Sequence, residues 1–98
     1  MSRIGVDIVI DREKIEAENM FIKLGYTKIY YEDGFFYYNN KNDKVIAFNL
    51  KKKEFSVYDY DTGETRGYGN EELKAILFQE QELGWISWKD YKSELNYI

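Results

Sequence analysis

The chain contains no cysteine, no histidine and no proline. Without cysteine, no disulfide can staple the fold and no thiol chemistry is available. Without histidine, serine–histidine triads, histidine metal sites and the usual near-neutral proton shuttle are excluded within the chain. Long apolar runs are missing too. The longest extend over a few residues, far short of a membrane crossing, and no basic, apolar, small-residue leader opens the chain. These features lead us to expect a soluble, non-exported protein. Charge of one sign is also scarce: 14 basic against 18 acidic residues leave a net charge of −4. A field of that sign repels nucleic acid, so direct nucleic-acid binding is disfavoured. The missing residue types, with heavy use of Lys, Asn, Ile and Tyr, suggest an A+T-rich coding sequence, which bears on origin and not on activity.

What is present is aromatic. Of the 98 residues, 44% are hydrophobic and 18% are aromatic, and the 33% that are charged mix both signs. That composition argues for one ordered domain over 1–98, burying roughly 60–65% of its unfolded-chain surface.

Along the chain, Ile4, Val6, Ile8 and Ile10 alternate with Gly5, Asp7 and Val9, a period of two that reads as a strand or extended arm over 1–10. Asp11 can cap a helix over 11–24, with Gly25 at its stop and Tyr26 as the apolar residue beyond. Ala17, Met20, Phe21 and Leu24 share its broad face, while Ile15 and Ile22 fall on a separate strip. Residues 26–60 read as a meander. The stretch YYEDGFFYY, residues 30–38, surrounds Asp33-Gly34 with rings, and Asp-Gly is a strong hairpin signal because a type I′ turn needs two positive φ angles. With that pair at the tip, Glu32 faces Phe35, Tyr31 faces Phe36, Tyr30 faces Tyr37, and Ile29 faces Tyr38.

A three-residue loop at 41–43 then sets Ile46 and Phe48 opposite Tyr38 and Phe36, and a tight turn within 51–53 adds Phe55 and Val57 beside Ile46, Phe48 and Leu50. The expected core face is therefore Ile29, Tyr31, Phe36, Tyr38, Ile46, Phe48, Phe55 and Val57. Tyr30, Phe35, Tyr37, Tyr58 and Tyr60 are expected on the side that the two main helices leave bare. A second helix is expected over 70–83, capped by Asn70, with Glu71 and Glu72 at the positive end of its dipole. Leu73, Ile76, Leu77 and Leu83 form its buried stripe, Phe78 points almost opposite, and Gly84-Trp85 repeats the glycine–aromatic stop. Ser87 and Asp90 suggest a capping box for a short helix over 87–95, with Trp88, Tyr91 and Leu95 on one face. No internal repeat, linker or low-complexity segment stands out. The expected class is α+β: a four-stranded antiparallel meander, with 1–10 as an optional fifth strand, two helices on one face, and a short C-terminal helix.

Three features carry candidate chemistry. Asp61-Thr62-Gly63 matches the triplet that bears the catalytic carboxylate in aspartic proteases, but that chemistry needs two carboxylates sharing a proton, so a single copy has to dimerise. Here the triplet leads into Glu64, Thr65 and Arg66 instead of apolar residues, and a polar turn is the better account. Asp59, Asp61 and Glu64, with Glu71 and Glu72 behind, do not complete a calcium loop: counting from Asp59, Gly63 is fifth and Asn70 twelfth, where an EF-hand needs glycine sixth and an acid twelfth. Lys51, Lys52 and Lys53 fit solubility and protection against edge pairing, with Glu32 and Asp33 at the same sheet end. No metal and no cofactor is expected. The aromatic band is the most informative feature. It is either covered by a terminal segment, or tolerated because tyrosine keeps its hydroxyl solvated, or it is a contact surface.

Two stretches, MFIKLGYTKI and EELKAILFQEQELGWI, resemble short proteins of unassigned activity encoded by phages and prophages of Gram-positive bacteria. In these a helix ending LGY precedes three or four strands and then a helix of the form E-E-x-K-A-I-x-x-Q-x-x-E-L-G-W. The resemblance covers residues 20–86. It implies a shared fold, a cytoplasmic location in an infected or lysogenic host, and a role in the phage–host encounter, including inhibition of a host defence protein. The expectation is a non-enzymatic module that engages a host or phage protein. Tyr30, Phe35, Tyr37, Tyr58 and Tyr60 would supply its contacts, and Asp59, Asp61 and Glu64 would set orientation. Two alternatives stand beside it: an acidic inhibitor that imitates nucleic-acid phosphates toward a nuclease or DNA-binding protein, and a self-associating structural protein in which the same face pairs two copies. A carboxylate enzyme, metal-assisted or not, is the contrasting class.

Overall fold

The computed structural model describes residues 16–86. The expected strand or arm at 1–10 and the expected helix at 87–95 lie outside the described residues. The class is the α+β one expected: a four-stranded antiparallel sheet in the order β1-β2-β3-β4, with two helices. The strands are β1 (Thr27–Tyr31), β2 (Gly34–Asn39), β3 (Lys44–Asn49) and β4 (Glu54–Asp59). The first helix, α1, is described over 16–23, and α2 is Asn70–Glu82. The chain divides into two compact units. One, within the described residues, holds 16–20 and 70–86; the other is Phe21–Gly69 and contains the whole sheet.

Both helices end as their sequences require. The Tyr26 amide donates to the Phe21 carbonyl at 3.0 Å and the Gly25 amide to the Ile22 carbonyl at 2.9 Å, the paired bonds of a Schellman stop. Trp85 and Gly84 repeat them onto Glu80 and Gln81 at 2.9 and 3.1 Å. In the first unit, Ala17, Ala75, Ile76, Leu77 and Gln79 are buried, and the Ala17 amide donates to Glu82 Oε2 at 3.2 Å. The buried stripe of α2 thus runs through Ala75, Ile76, Leu77 and Gln79, whereas Leu73 and Leu83 are only half-buried.

In the sheet unit, two turns differ from the sequence reading, with unequal consequences. The β1–β2 tip is Glu32-Asp33, not Asp33-Gly34: Tyr31 pairs with Gly34, Ile29 with Phe36 and Lys28 with Tyr37. The shift moves partners by two, an even number, so the faces within this hairpin are unchanged. The β2–β3 turn is different. It holds four residues, 40–43, and pairs Tyr37 with Ile46 and Phe35 with Phe48. One more turn residue than expected slides β2 by one position, and a slip of one sends every side chain to the other face. The β3–β4 pairing keeps its expected faces, with Phe48 opposite Phe55 and Ile46 opposite Val57, although Leu50 belongs to the turn and is exposed.

The packed face is therefore Phe35, Tyr37, Ile46, Phe48, Phe55 and Val57, with Tyr30 at its margin. Phe21, from the last turn of α1, lies on it: its ring stacks on Tyr37 at 3.9 Å and 15°, and meets Phe48 and Tyr26 edge-on at 6.2 and 5.9 Å. Phe35 and Phe48 stack at 5.4 Å. Phe21, Tyr37, Ile46 and Phe48 are fully buried. Each such ring contributes about 1.5–3 kcal/mol by burial, and each well-placed pair about 0.5–1.5 kcal/mol more. Asn39, also on this side and buried, ties the sheet to the end of α1 through Nδ2 donating to the Leu24 carbonyl at 3.3 Å.

The turns carry a periodicity that the sequence reading missed. Asn39, Asn49 and Asp59 each end a strand and each precede a four-residue turn closed by a left-handed residue: Asp43 (φ 57°), Lys53 (φ 57°) and Gly63 (φ 77°). The side-chain oxygen of the leading residue accepts turn amides in all three cases. Lys41 donates to Asn39 at 3.0 Å, Lys52 to Asn49 at 2.8 Å, and both Asp61 and Thr62 to Asp59 at 2.9 and 3.1 Å. Strand plus turn makes a ten-residue unit, repeated at 39, 49 and 59. The third turn starts a further rung: Asp59 and Glu64 are joined by a backbone bond of 2.8 Å, Arg66 donates to the Val57 carbonyl at 2.9 Å, and Tyr58 bridges to Thr65. This rung shields the β4 edge.

Candidate functional site

The face opposite Phe21 carries Ile29 and Tyr31 from β1, Phe36 and Tyr38 from β2, Val45 and Ala47 from β3, and Ser56 and Tyr58 from β4. A sheet with one packed face ordinarily alternates to polar residues on the other. Here polar side chains on the second face are few. Val45 and Ala47 at its middle are buried, with Val45 in register between Tyr38 and Tyr58. Phe36, Tyr38 and Tyr58 are half-buried, while Ile29 and Tyr31 are 39% and 40% exposed. Burial, with the nearby Tyr58 and Asp33 adding to it, raises the Tyr31 phenol pKa above the ordinary value.

The residues expected to form the contact band divide accordingly. Tyr37 and Phe35 are core residues, which corrects their placement on a bare face; the physical reason is the extra residue in the 40–43 turn. Tyr30 shares their side of the sheet but sits at its edge, 71% exposed, with its ring 6.1 Å from Phe35. Lys28 Nζ lies 4.3 Å from the Phe35 centroid and 5.0 Å from that of Tyr30. Tyr58 is on the second face, and Tyr60, in the third turn, is 57% exposed beside Tyr38 at 4.8 Å between centroids. The rings of the second face that sequence reasoning assigned to the core are Tyr31, Phe36 and Tyr38. The ten-residue spacing of Asn39, Asn49 and Asp59 was the signal that would have placed them, because it gives all three turns one length.

At one end of this face the first and third turns meet. The Tyr60 amide donates to the Asp43 carbonyl at 2.7 Å. The Tyr38 hydroxyl donates to Asp43 Oδ1 at 2.9 Å, and this bond, first among the causes, holds the Tyr38 phenol above its ordinary pKa. Arg66 Nη1 bridges the turns, donating to Asp59 Oδ2 at 2.9 Å and to the Asn42 carbonyl at 3.1 Å. The turn amide of Thr62, then those of Asp61 and the Arg66 guanidinium, keep the Asp59 carboxyl below the usual carboxylate range against partial desolvation. Asp61 behaves oppositely. The charge on Asp43 raises its pKa, with smaller contributions from desolvation, a hydrogen bond to Asp43 and the charge on Asp59.

Asp61-Thr62-Gly63 is thus the tip of a repeated turn. Glu64 is exposed, its amide donating to Thr62 Oγ1 at 3.2 Å and its carbonyl accepting from Asp59. Asp59, Asp61 and Glu64 lie along the third turn and the rung that follows it, and among the described residues no group of three or more acidic side chains is disposed to hold a metal ion. No described helix is long and apolar enough to cross a membrane. Compared with protein-family models, with curated proteins and with solved structures, the chain gives no match in any of the three.

Proposed function

We propose that this chain is a small non-enzymatic protein-binding module, phage- or prophage-encoded, that engages a host or phage protein through the aromatic second face of its sheet. One observation carries the reading. The face that does not hold Phe21 is built from Ile29, Tyr31, Phe36, Tyr38 and Tyr58, and its margin exposes Ile29, Tyr31 and Tyr60. Tyrosine is the residue type that tolerates solvent before binding and gives large, low-entropy contact area afterwards. The LGY and ELGW helix stops, through the resemblance they carry, support the phage setting.

The test uses the whole chain with a photo-crosslinking residue in place of Ser56, an exposed position of the same face, expressed in a Gram-positive host before and after phage infection. The crosslinked partner is identified, and its capture is compared between the wild type and an Ile29→Ser/Tyr31→Ser variant. Loss of capture of about tenfold or more is expected, because two exposed contact side chains that anchor an interface each contribute upwards of 1 kcal/mol. Undiminished capture by that variant would sink the reading.

A second reading, an acidic inhibitor that occupies the nucleic-acid site of a host defence nuclease or DNA-binding protein, draws on the crowding of Asp43, Asp59, Asp61 and Glu64 at one end. It predicts competition with duplex DNA for the captured partner and a steep loss of binding with salt. Self-association through the same face predicts a concentration-dependent sedimentation coefficient that the Ile29→Ser/Tyr31→Ser variant abolishes.

A further inference from the structure

We infer that the end of the tyrosine face formed by Tyr38, Tyr60, Asp43 and Asp61 receives an arginine-bearing basic segment of the partner protein. The inference rests on the reading of this face as a protein contact and adds the chemistry of what it contacts. Three observations support it. First, Tyr38 and Tyr60 come from different ten-residue units yet lie 4.8 Å apart with their planes at 47°, and Tyr60 is more than half exposed. An open ring face flanked by a second ring is what a planar guanidinium stacks on.

Second, the carboxylates beside these rings are held in place. Asp43 accepts the Tyr38 hydroxyl at 2.9 Å, and its backbone carbonyl accepts the Tyr60 amide, so one residue ties together the positions that carry both rings. Third, the charge at this end is incompletely answered. Among the described residues, Arg66 is committed to Asp59 and to the Asn42 carbonyl. Lys41 is exposed in the first turn, yet the Asp61 carboxyl is still pushed upward by Asp43, the sign of a field that remains negative. An incoming guanidinium supplies what is missing: a charge for Asp43 and Asp61, and a flat cation for the rings. Lysine answers the charge but not the stacking, so arginine is the preferred residue.

The experiment is fluorescence anisotropy of the full chain with a dye-labelled twelve-residue Gly-Arg repeat, against a Gly-Lys repeat of equal charge, at low and at moderate salt. The Gly-Arg peptide is expected to bind several-fold more tightly than the Gly-Lys peptide. Tyr60→Ser is expected to weaken it about three- to fivefold and Asp61→Asn about two- to threefold. Tyr68→Ser, a substitution at another exposed tyrosine, is expected to leave it unchanged.

Tyr60→Ser and Asp61→Asn both alter exposed side chains, and circular dichroism verifies that the variants fold. Equal binding of the two peptides, an unchanged Tyr60→Ser, or no binding of either peptide overturns the inference, as does binding of a labelled DNA duplex in place of the peptides. Photo-crosslinking at position 56 is run in parallel. If the peptides fail while Ile29→Ser/Tyr31→Ser still releases the crosslinked partner, the arginine inference falls and the face reading stands. If that variant also keeps its partner, both fall.

Discussion

Replacing Gly34 tests the sheet register directly. The turn reading from sequence needs Gly34 for a left-handed φ, but in the fold Gly34 begins β2 and is not among the residues with positive φ. It is glycine for a different reason. A Cβ at this position would meet the Phe48 carbonyl oxygen at 2.1 Å, with the Leu50 nitrogen at 3.2 Å. Both are backbone atoms, so no rotamer change relieves the clash, and β2 and β3 must separate by roughly 1 Å. Overpacking of that kind costs about 1–3 kcal/mol. The neighbouring bond from the Leu50 amide to the Asp33 carbonyl, 2.9 Å long, is then lost or weakened, costing about 1 kcal/mol more. Gly34→Ala is therefore expected to destabilise by about 2–4 kcal/mol, lowering Tm by roughly 10–30 °C for a domain of this size. Thermal and urea unfolding followed by circular dichroism measure it, and faster hydrogen exchange at the Leu50 amide localises it. Gly34→Asn separates the two explanations. Asparagine tolerates a left-handed φ and would partly rescue a turn glycine, whereas against a backbone clash it must be at least as costly as alanine. A Tm change under about 2 °C for alanine, or a clear advantage for asparagine, refutes the close-approach argument.

The other predictions follow from the same geometry. Gly63 is the converse glycine, left-handed at φ 77° with nothing within 4 Å of a Cβ, so Gly63→Asn should cost less than Gly63→Ala, which should cost about 1 kcal/mol in urea unfolding. Tyr37→Ser should cost about 3–5 kcal/mol and Tyr30→Ser less than about 0.5 kcal/mol in the same assay, since one ring is fully buried and the other mostly exposed. Asp61 has a raised folded pKa, so its ionised form is disfavoured above that pKa; Asp61→Asn should raise Tm at pH 7, with the gain shrinking as pH falls through the carboxylate range. Asp59 has a lowered one, so Asp59→Asn should reduce Tm at pH 7, and that loss should fade as the wild type itself becomes protonated at low pH.

Element types and helix ends were legible because each has a local cause. Gly25-Tyr26 and Gly84-Trp85 state their helix stops in two residues, and the Ala17–Phe21 face against exposed Ile22 follows from helical spacing alone. The four strands among the described residues were legible from the polar clusters between apolar runs. Which rings are core was not. In β2 the run Phe35, Phe36, Tyr37, Tyr38 offers both faces a ring at every step, and β3, with Val45, Ile46, Ala47 and Phe48, is equally two-sided. A period-two pattern identifies the inner face only where the outer one is polar. Ser56, exposed between Phe55 and Val57, offers that contrast, and Phe55 and Val57 lie on the packed face as expected.

With the strands silent, the decision passed to loop length, where an error of one residue is an inversion. The same two-sidedness that hides the register from a reader of the sequence also weakens it for the folding chain, because a β2 slipped by one residue would still present rings to Phe21. The discriminating interactions are therefore at the turns. Asn39 both caps the 40–43 turn through its Oδ1 and holds the Leu24 carbonyl through its Nδ2, and a slip that set Asn40 in its place would leave a turn one residue shorter than those that Asn49 and Asp59 cap. Asn49 and Asp59 fix the next two turns in the same way. A chain with aromatic rings on both faces of its sheet is left with such polar clamps to specify its register. The ten-residue recurrence of Asn39, Asn49 and Asp59, which gives all three turns one length, thus supplies the register information that the two-sided aromatic strands lack.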